Sequence, residues 1–159
     1  MSYEIPNTSS EKPETRNSKL GAKIIGITGG IGSGKSTVSK FIEELGFPVY
    51  DSDFWAKELV NVDENLKSRI IELLGEESYD ENGKYNRKFV AEKVFDHQEL
   101  LLKLNQIIHP EVKIHFENWV NAQNAEFVFK ETALLFELKL NESCYQSILV
   151  TADENIRIK

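Results

Sequence analysis

The spacing of apolar positions along this chain switches between two periods, and each switch marks the edge of an element. Residues 23–28, Lys-Ile-Ile-Gly-Ile-Thr, form a short β-branched run that predicts a buried strand. Beyond a glycine-rich stretch, Val38, Phe41, Ile42 and Leu45 recur at helical spacing, which predicts a helix over 37–45 closed by Gly46. Residues 47–50 read as a second strand, with Pro48 near its start where a missing N–H is tolerated. Helical patterns follow over 54–60, with Ser52 or Asp53 as cap, and over about 64–74, ended by Gly75. Residues 76–84 are polar and carry a turn at Glu81-Asn82-Gly83. Residues 85–95 and 97–108 are helical again, Asp96 capping the second; Pro110 then predicts a break and a fresh helix over 110–121. Strands are predicted at 127–130 and 147–151, separated by an apolar stretch at 132–140 that acquires charge, and a last helix starts at Asp153.

Strands alternating with helices imply an α/β domain, a parallel sheet with helices on both faces. In such sheets ligands sit beyond the carboxyl ends of the strands. That rule singles out 29–37, 51–53 and 131–132. Residues 1–20 are polar, with Pro6 and Pro13, and read as a flexible tail before a domain over 21–159. No internal repeat is visible.

At 159 residues, 40% hydrophobic and 28% charged, the chain suits one soluble domain with a real core. No apolar run approaches a membrane span and the N-terminus lacks a signal peptide's apolar centre, so a cytoplasmic location is the default expectation. The single cysteine, Cys144, has no partner for an internal disulfide. A net charge of −7 argues against a nucleic-acid partner. It favours a small anionic ligand held where positive potential is concentrated locally.

The glycine-rich stretch supplies such a place. Gly29 to Ser36 fits G-x-x-x-x-G-K-[ST], set between a predicted strand and a predicted helix. Glycines let the backbone turn its N–H groups around a polyphosphate, and the helix N-terminus adds donors and partial positive charge. Lys35 can reach the β- and γ-phosphates, and the Ser36 hydroxyl can bind Mg²⁺.

Other candidates carry bland readings alongside functional ones. Asp51 and Asp53 follow the second strand; either can serve as general base or metal-side acid, and Asp also caps helices well at such a point. Glu131 and Glu137 read first as solvated loop and helix glutamates. His109 at the junction before Pro110 reads as a capping or packing residue, His97 and His115 as surface or partly buried. Lys57, Arg87 and Lys113 are candidate anion-binding cations. Trp55 and Trp119 read as packing residues. No His/Cys/Asp cluster has metal-ligand spacing.

Taken together, several of these stretches resemble one family. Residues 27–37, Ile-Thr-Gly-Gly-Ile-Gly-Ser-Gly-Lys-Ser-Thr, are followed by Leu45-Gly46 and by Asp51-Ser52-Asp53 with Ala56-Lys57. Asp80-Glu81-Asn82-Gly83 with Arg87 and Val94-Phe95, then Ile108-His109-Pro110, then Leu134-Leu135-Phe136-Glu137 complete the series. In this order they resemble dephospho-coenzyme A kinases from about Lys23 to Lys159. The resemblance implies a P-loop kinase-like three-layer sandwich with a helical substrate-binding region at about 54–122. It also implies transfer of phosphate from ATP, with Mg²⁺, to the ribose 3′-hydroxyl of dephospho-coenzyme A, the last step of coenzyme A synthesis. Carried over, Gly30, Ile31, Gly32, Ser33, Gly34, Lys35, Ser36 and Thr37 bind ATP, with Ser36 on the metal; Lys35 and Asp53 are catalytic. Asp53, Lys57, Arg87 and His109 face the acceptor, and the protein works as a monomer or weak oligomer. Three departures stand out. Lys57 occupies a position where the family usually has Arg, which removes a bidentate grip. Ala133 replaces the usual Pro before Leu-Leu-Phe-Glu. The family's arginine-bearing lid and last strand are expected to be missing after Lys159. The alternatives are another P-loop small-molecule or nucleotide kinase, or a non-catalytic ATP-binding fragment; a GTPase would need Asn-Lys-x-Asp, which is absent.

Overall fold

A computed structural model describes residues 21–153. The tail expected at 1–20 and the helix expected from Asp153 onward, with Arg157, lie outside the described residues apart from Asp153 itself. Four strands form one sheet: β1 (Lys23–Thr28), β2 (Val49–Asp51), β3 (Phe127–Glu131) and β4 (Gln146–Leu149), in the order β2-β3-β1-β4. Every pairing is parallel. Helix α1 (Lys35–Glu44) links β1 to β2, while α2 (Ser52–Val62), α3 (Glu64–Leu74), α4 (Arg87–Phe95) and α5 (Gln98–Asn121) link β2 to β3.

Period-two alternation divides the sheet cleanly between two cores. Ile24, Tyr50 and Val128 turn to the face covered by the long helical excursion, where they join Leu59, Leu66, Ile70, Leu104 and Phe116. Ile25, Ile27, Val49, Phe127 and Phe129 turn to the other face and meet Val38 and Ile42 of α1. The expected three-layer arrangement is therefore present. Tyr50 is the hub of the larger core. Its ring lies 5.0 Å from Phe116, 5.3 Å from Trp119 and 6.2 Å from Trp55, centroid to centroid. Its hydroxyl lies 2.8 Å from His115 Nδ1 and donates to the Val112 carbonyl at 3.4 Å, and burial pushes the phenol above its ordinary pKa.

Two expectations are corrected here. The break at Pro110 does not occur: α5 runs unbroken through it. A proline inside a helix costs about 3 kcal/mol. Leu104, Val112, Phe116 and Val120 are buried along one side of α5, and each such side chain contributes roughly 1.5–3 kcal/mol. Keeping one straight apolar stripe outweighs the lost hydrogen bond. The cap of α2 is neither Ser52 nor Asp53 but Asp51, whose carboxylate accepts from the Phe54 N–H at 2.9 Å. The helix begins at Ser52, two residues before its expected start at 54, so the capping position falls on Asp51.

Smaller shifts concern the ends. α5 begins at Gln98 with His97 as its N-cap and no side-chain bond, so Asp96 does not cap it; Asn86 caps α4 instead. The apolar stretch after β3 is a run of turns ending in a short 3₁₀ turn, Leu140–Ser143. Among the described residues no helix is long and apolar enough to cross a membrane.

Leu66, fully buried where α3 meets the large core, tests this packing. Leu66→Ala should cost about 2–4 kcal/mol through lost transfer energy plus a cavity, measured as a shift of the urea midpoint at unchanged slope.

Candidate active site

The parallel register brings three strand ends to one edge: Ile27 of β1 pairs with Glu131 of β3, which pairs with Asp51 of β2. The loops that leave this edge carry the candidate chemistry. After Thr28 the chain passes over Gly29–Gly34 into α1. Gly32 (φ 73°) and Gly34 (φ 89°) are left-handed, which a side chain resists, and Gly34 is the N-cap. At Gly29 a Cβ would stand 2.5 Å from both Ser33 Oγ and the Val150 carbonyl, so no side chain fits. The loop closes through Ser33 N–H donating to the Gly30 carbonyl at 3.1 Å, with Ile31 fully exposed at its tip. The first N–H groups of α1 have no intrahelical partner and aim at whatever sits in the loop.

Lys35 and Ser36 open α1 beneath this loop. The Lys35 ammonium is 3.0 Å from Glu131 Oε1, and Ser36 Oγ donates to the same oxygen at 3.5 Å. Glu131 is 4% exposed. The reading of Glu131 as a solvated loop residue is thus corrected: it is the last residue of β3, on the face that packs α1. The signal was available in the alternation, since 127, 129 and 131 share a side, but it required extending the strand one residue past its apolar run. A buried ion pair stabilises little in net terms, because desolvation offsets the attraction. Its value here is positional: one carboxylate gathers the ammonium and the hydroxyl of the phosphate loop.

Across the sheet edge, Asp53 sits half-buried in the first turn of α2, freed from capping by Asp51. It faces two adjoining spaces. The larger, a groove of about 460 Å³ among α2, α4 and α5, also gathers Lys57 and Arg87 against apolar walls that include Val60 and Ile108. The smaller, about 90 Å³, adds His109, Lys113, Lys130, Ser52 and Thr132. All four residues expected to face the acceptor therefore line these two spaces, Asp53 belonging to both. His109 is half-buried, and desolvation holds its pKa below the ordinary imidazole value. Glu137 is exposed and joins neither space; His97 lies with Glu92 and Lys93 at the far end of α4, and His115 is committed to Tyr50. Lys130 was missed because a lysine in the middle of a strand reads as a solvent-facing position. It is 6% exposed.

Against this geometry the comparisons are specific. The family model for dephospho-CoA kinase matches residues 23–159. The chain belongs to the dephospho-CoA kinase family. A dephospho-CoA kinase of Fusobacterium nucleatum is 38% identical over 135 residues, covering 85% of this chain and 69% of that protein. One of Porphyromonas gingivalis is 44% identical over 133 residues, covering 84% and 65%. Among solved structures, TT1252 from Thermus thermophilus superimposes with a TM-score of 0.76 at 34% identity, covering 86% of this chain and 69% of that one. A dephospho-CoA kinase from Campylobacter jejuni gives 0.61 at 16% identity, covering 86% and 93%, and shows the shared fold. The chain thus spans about two thirds of the length of the curated relatives.

The two aspartates separate by experiment. Asp51→Ala should cost about 1 kcal/mol as α2 loses its cap, whereas Asp53→Asn should leave the thermal midpoint in place. His109 gives a pH signature. Its folded pKa lies below its unfolded value, so the unfolded chain takes the proton first and stability is lost as pH falls. The thermal midpoint should drop between about pH 7 and 5, and His109→Gln should flatten that slope.

Proposed function

We propose that this kinase transfers the γ-phosphoryl group of ATP to the 3′-hydroxyl of dephospho-coenzyme A through Asp53, Lys35 and the 29–37 loop. Family membership carries the overall reaction, the last step of coenzyme A synthesis. The residue roles rest on one observation: the Lys35–Glu131–Ser36 cluster and the Asp53 spaces lie at the same edge of the sheet, joined through consecutive residues Glu131 and Thr132.

In this reading the loop amides and Lys35 hold the triphosphate. Lys35 exchanges the Glu131 carboxylate for phosphate oxygens and then neutralises charge on the moving group. Asp53 takes the proton of the acceptor hydroxyl as its oxygen bonds to the γ-phosphorus and the bond to the β–γ bridging oxygen breaks. Lys57 and Arg87 hold the acceptor over the apolar floor of the groove, and His109, neutral by burial, offers a hydrogen bond instead of a charge. Because Lys57 has a point charge and no planar fork, its grip is less directional than an arginine's.

Mg²⁺ fits the residues present. A hydroxyl and a carboxylate, both hard oxygen donors, already converge at Ser36 and Glu131. Among the described residues no three His, Cys, Asp or Glu side chains gather as a closed cage, and Mg²⁺ ordinarily takes one or two protein oxygens beside substrate phosphates. When bound, the ion would supply charge neutralisation at the phosphate oxygens.

A coupled assay for ADP, with coenzyme A identified by mass, tests the assignment. Asp53→Asn should lower kcat by about 10²–10⁴ at unchanged KM for ATP. Lys35→Ala should weaken ATP binding itself. Full kcat in Asp53→Asn would remove that residue from the reaction and leave the family assignment untouched.

A further inference from the structure

Lys130 is a buried cation that the mechanism above does not use. It precedes Glu131, so alternation sends the two side chains to opposite faces of the sheet. Glu131 serves the phosphate loop, and Lys130 points beneath α2 and α5, the acceptor side. Its ammonium lies 4.0 Å from the centroid of the Phe116 ring, and none of the ion pairs among the described residues includes it. A ring face offsets only part of what burying an ammonium costs. Burial accordingly pulls Lys130 below the usual lysine pKa; Cys144 and Glu117 oppose this and Lys113 adds to it.

The cavity beside Lys130 holds a second unmet group. Ser52 is 7% exposed, and its Oγ is buried with no hydrogen-bond partner. Both residues line a space of about 90 Å³, bounded also by Asp53, His109, Lys113 and Thr132. A space of that size takes a small polar group on the scale of one phosphoryl and is too small for a nucleoside. Water alone would satisfy Ser52 but would bring Lys130 no counter-charge beyond the partial compensation from Glu117 and Cys144. The first turn of α2, which begins at Ser52, adds partial positive charge to the same wall. The one carboxylate on the lining, Asp53, is shared with the groove that would receive the sugar.

We propose that this cavity is a phosphoryl-oxyanion subsite, in which Lys130 and Ser52 grip one phosphoryl group of the diphosphate of dephospho-coenzyme A while its 3′-hydroxyl rests on Asp53. The proposal rests on the kinase reading and deepens it, since it names what distinguishes this acceptor from a bare nucleoside. An acceptor carrying a diphosphate a few bonds from its attacking hydroxyl suits two spaces that meet at one carboxylate.

The test compares dephospho-coenzyme A with adenosine, which offers the same ribose 3′-hydroxyl without the diphosphate, at saturating Mg-ATP. Lys130→Met should raise KM for dephospho-coenzyme A about 10–100-fold, the loss expected when a charged hydrogen bond goes. KM for adenosine and for ATP should stay put, and Lys130→Arg should restore much of the loss. Ser52→Ala should act in the same direction but less strongly, and remains informative if Lys130→Met does not fold. Unchanged acceptor KM, or an equal change for both acceptors, overturns the subsite. If the wild-type chain phosphorylates neither acceptor, the kinase reading falls separately. The subsite is then judged by calorimetry with inorganic pyrophosphate while a non-hydrolysable ATP analogue and Mg²⁺ saturate the loop. Binding lost in Lys130→Met upholds the proposal, and binding retained refutes it.

Discussion

The contact on which this site depends is the buried pairing of Lys35 with Glu131. It joins the start of α1 to the end of β3, elements separated by most of the chain, at 3.0 Å. Its geometry follows from the parallel register, which sets Ile27, Glu131 and Asp51 side by side and makes their following loops neighbours. A shift of one residue in β3 would turn Glu131 away from the phosphate loop and bring Lys130 toward it. The register thus fixes the sign of the charge that meets each ligand.

The sheet also works as a partition. Its α1 face is small and apolar, and its edge carries the phosphate loop. The opposite face carries the large core, organised by Tyr50 and the unbroken stripe of α5, and its edge carries the two spaces that share Asp53. The phosphate loop and the Asp53 spaces are built by elements packed on opposite faces, and they come together at one line of strand ends. This is the positioning that phosphoryl transfer needs, since the covalent demands on the protein are slight. Although the chain is acidic overall, Lys35, Lys57, Arg87, Lys113 and Lys130 stand at or beside these spaces, which concentrates positive potential locally.

Much of this was legible in local patterns. The glycine loop, the strand before it and the helix after it lie within some twenty consecutive residues, and their chemistry is written in residue type alone. The four substrate-facing candidates were found from ordered short motifs, and the structure places them around two adjoining spaces. What local pattern missed has a common cause. Glu131, Lys130 and the continuity of α5 through Pro110 all depend on which face a side chain meets once distant elements pack. Charge and proline propensity, read locally, point the other way: toward solvent for the two charged residues, toward a break for the third.

The amino-acid sequence by itself determined the phosphate loop, the alternation of strands and helices, and hence the α/β class, because each of these is set by neighbours a few residues apart. It also carried the ordered motifs that mark the kinase family. Only the tertiary structure decided that a glutamate and a lysine adjacent in β3 are both buried, one paired with Lys35 of the phosphate loop and the other lining the space beside Asp53. It alone showed that Asp51 caps while Asp53 is free, and that one helix spans a proline. These outcomes are settled by burial and register between segments far apart in the chain, where the free energy of packing exceeds local preference.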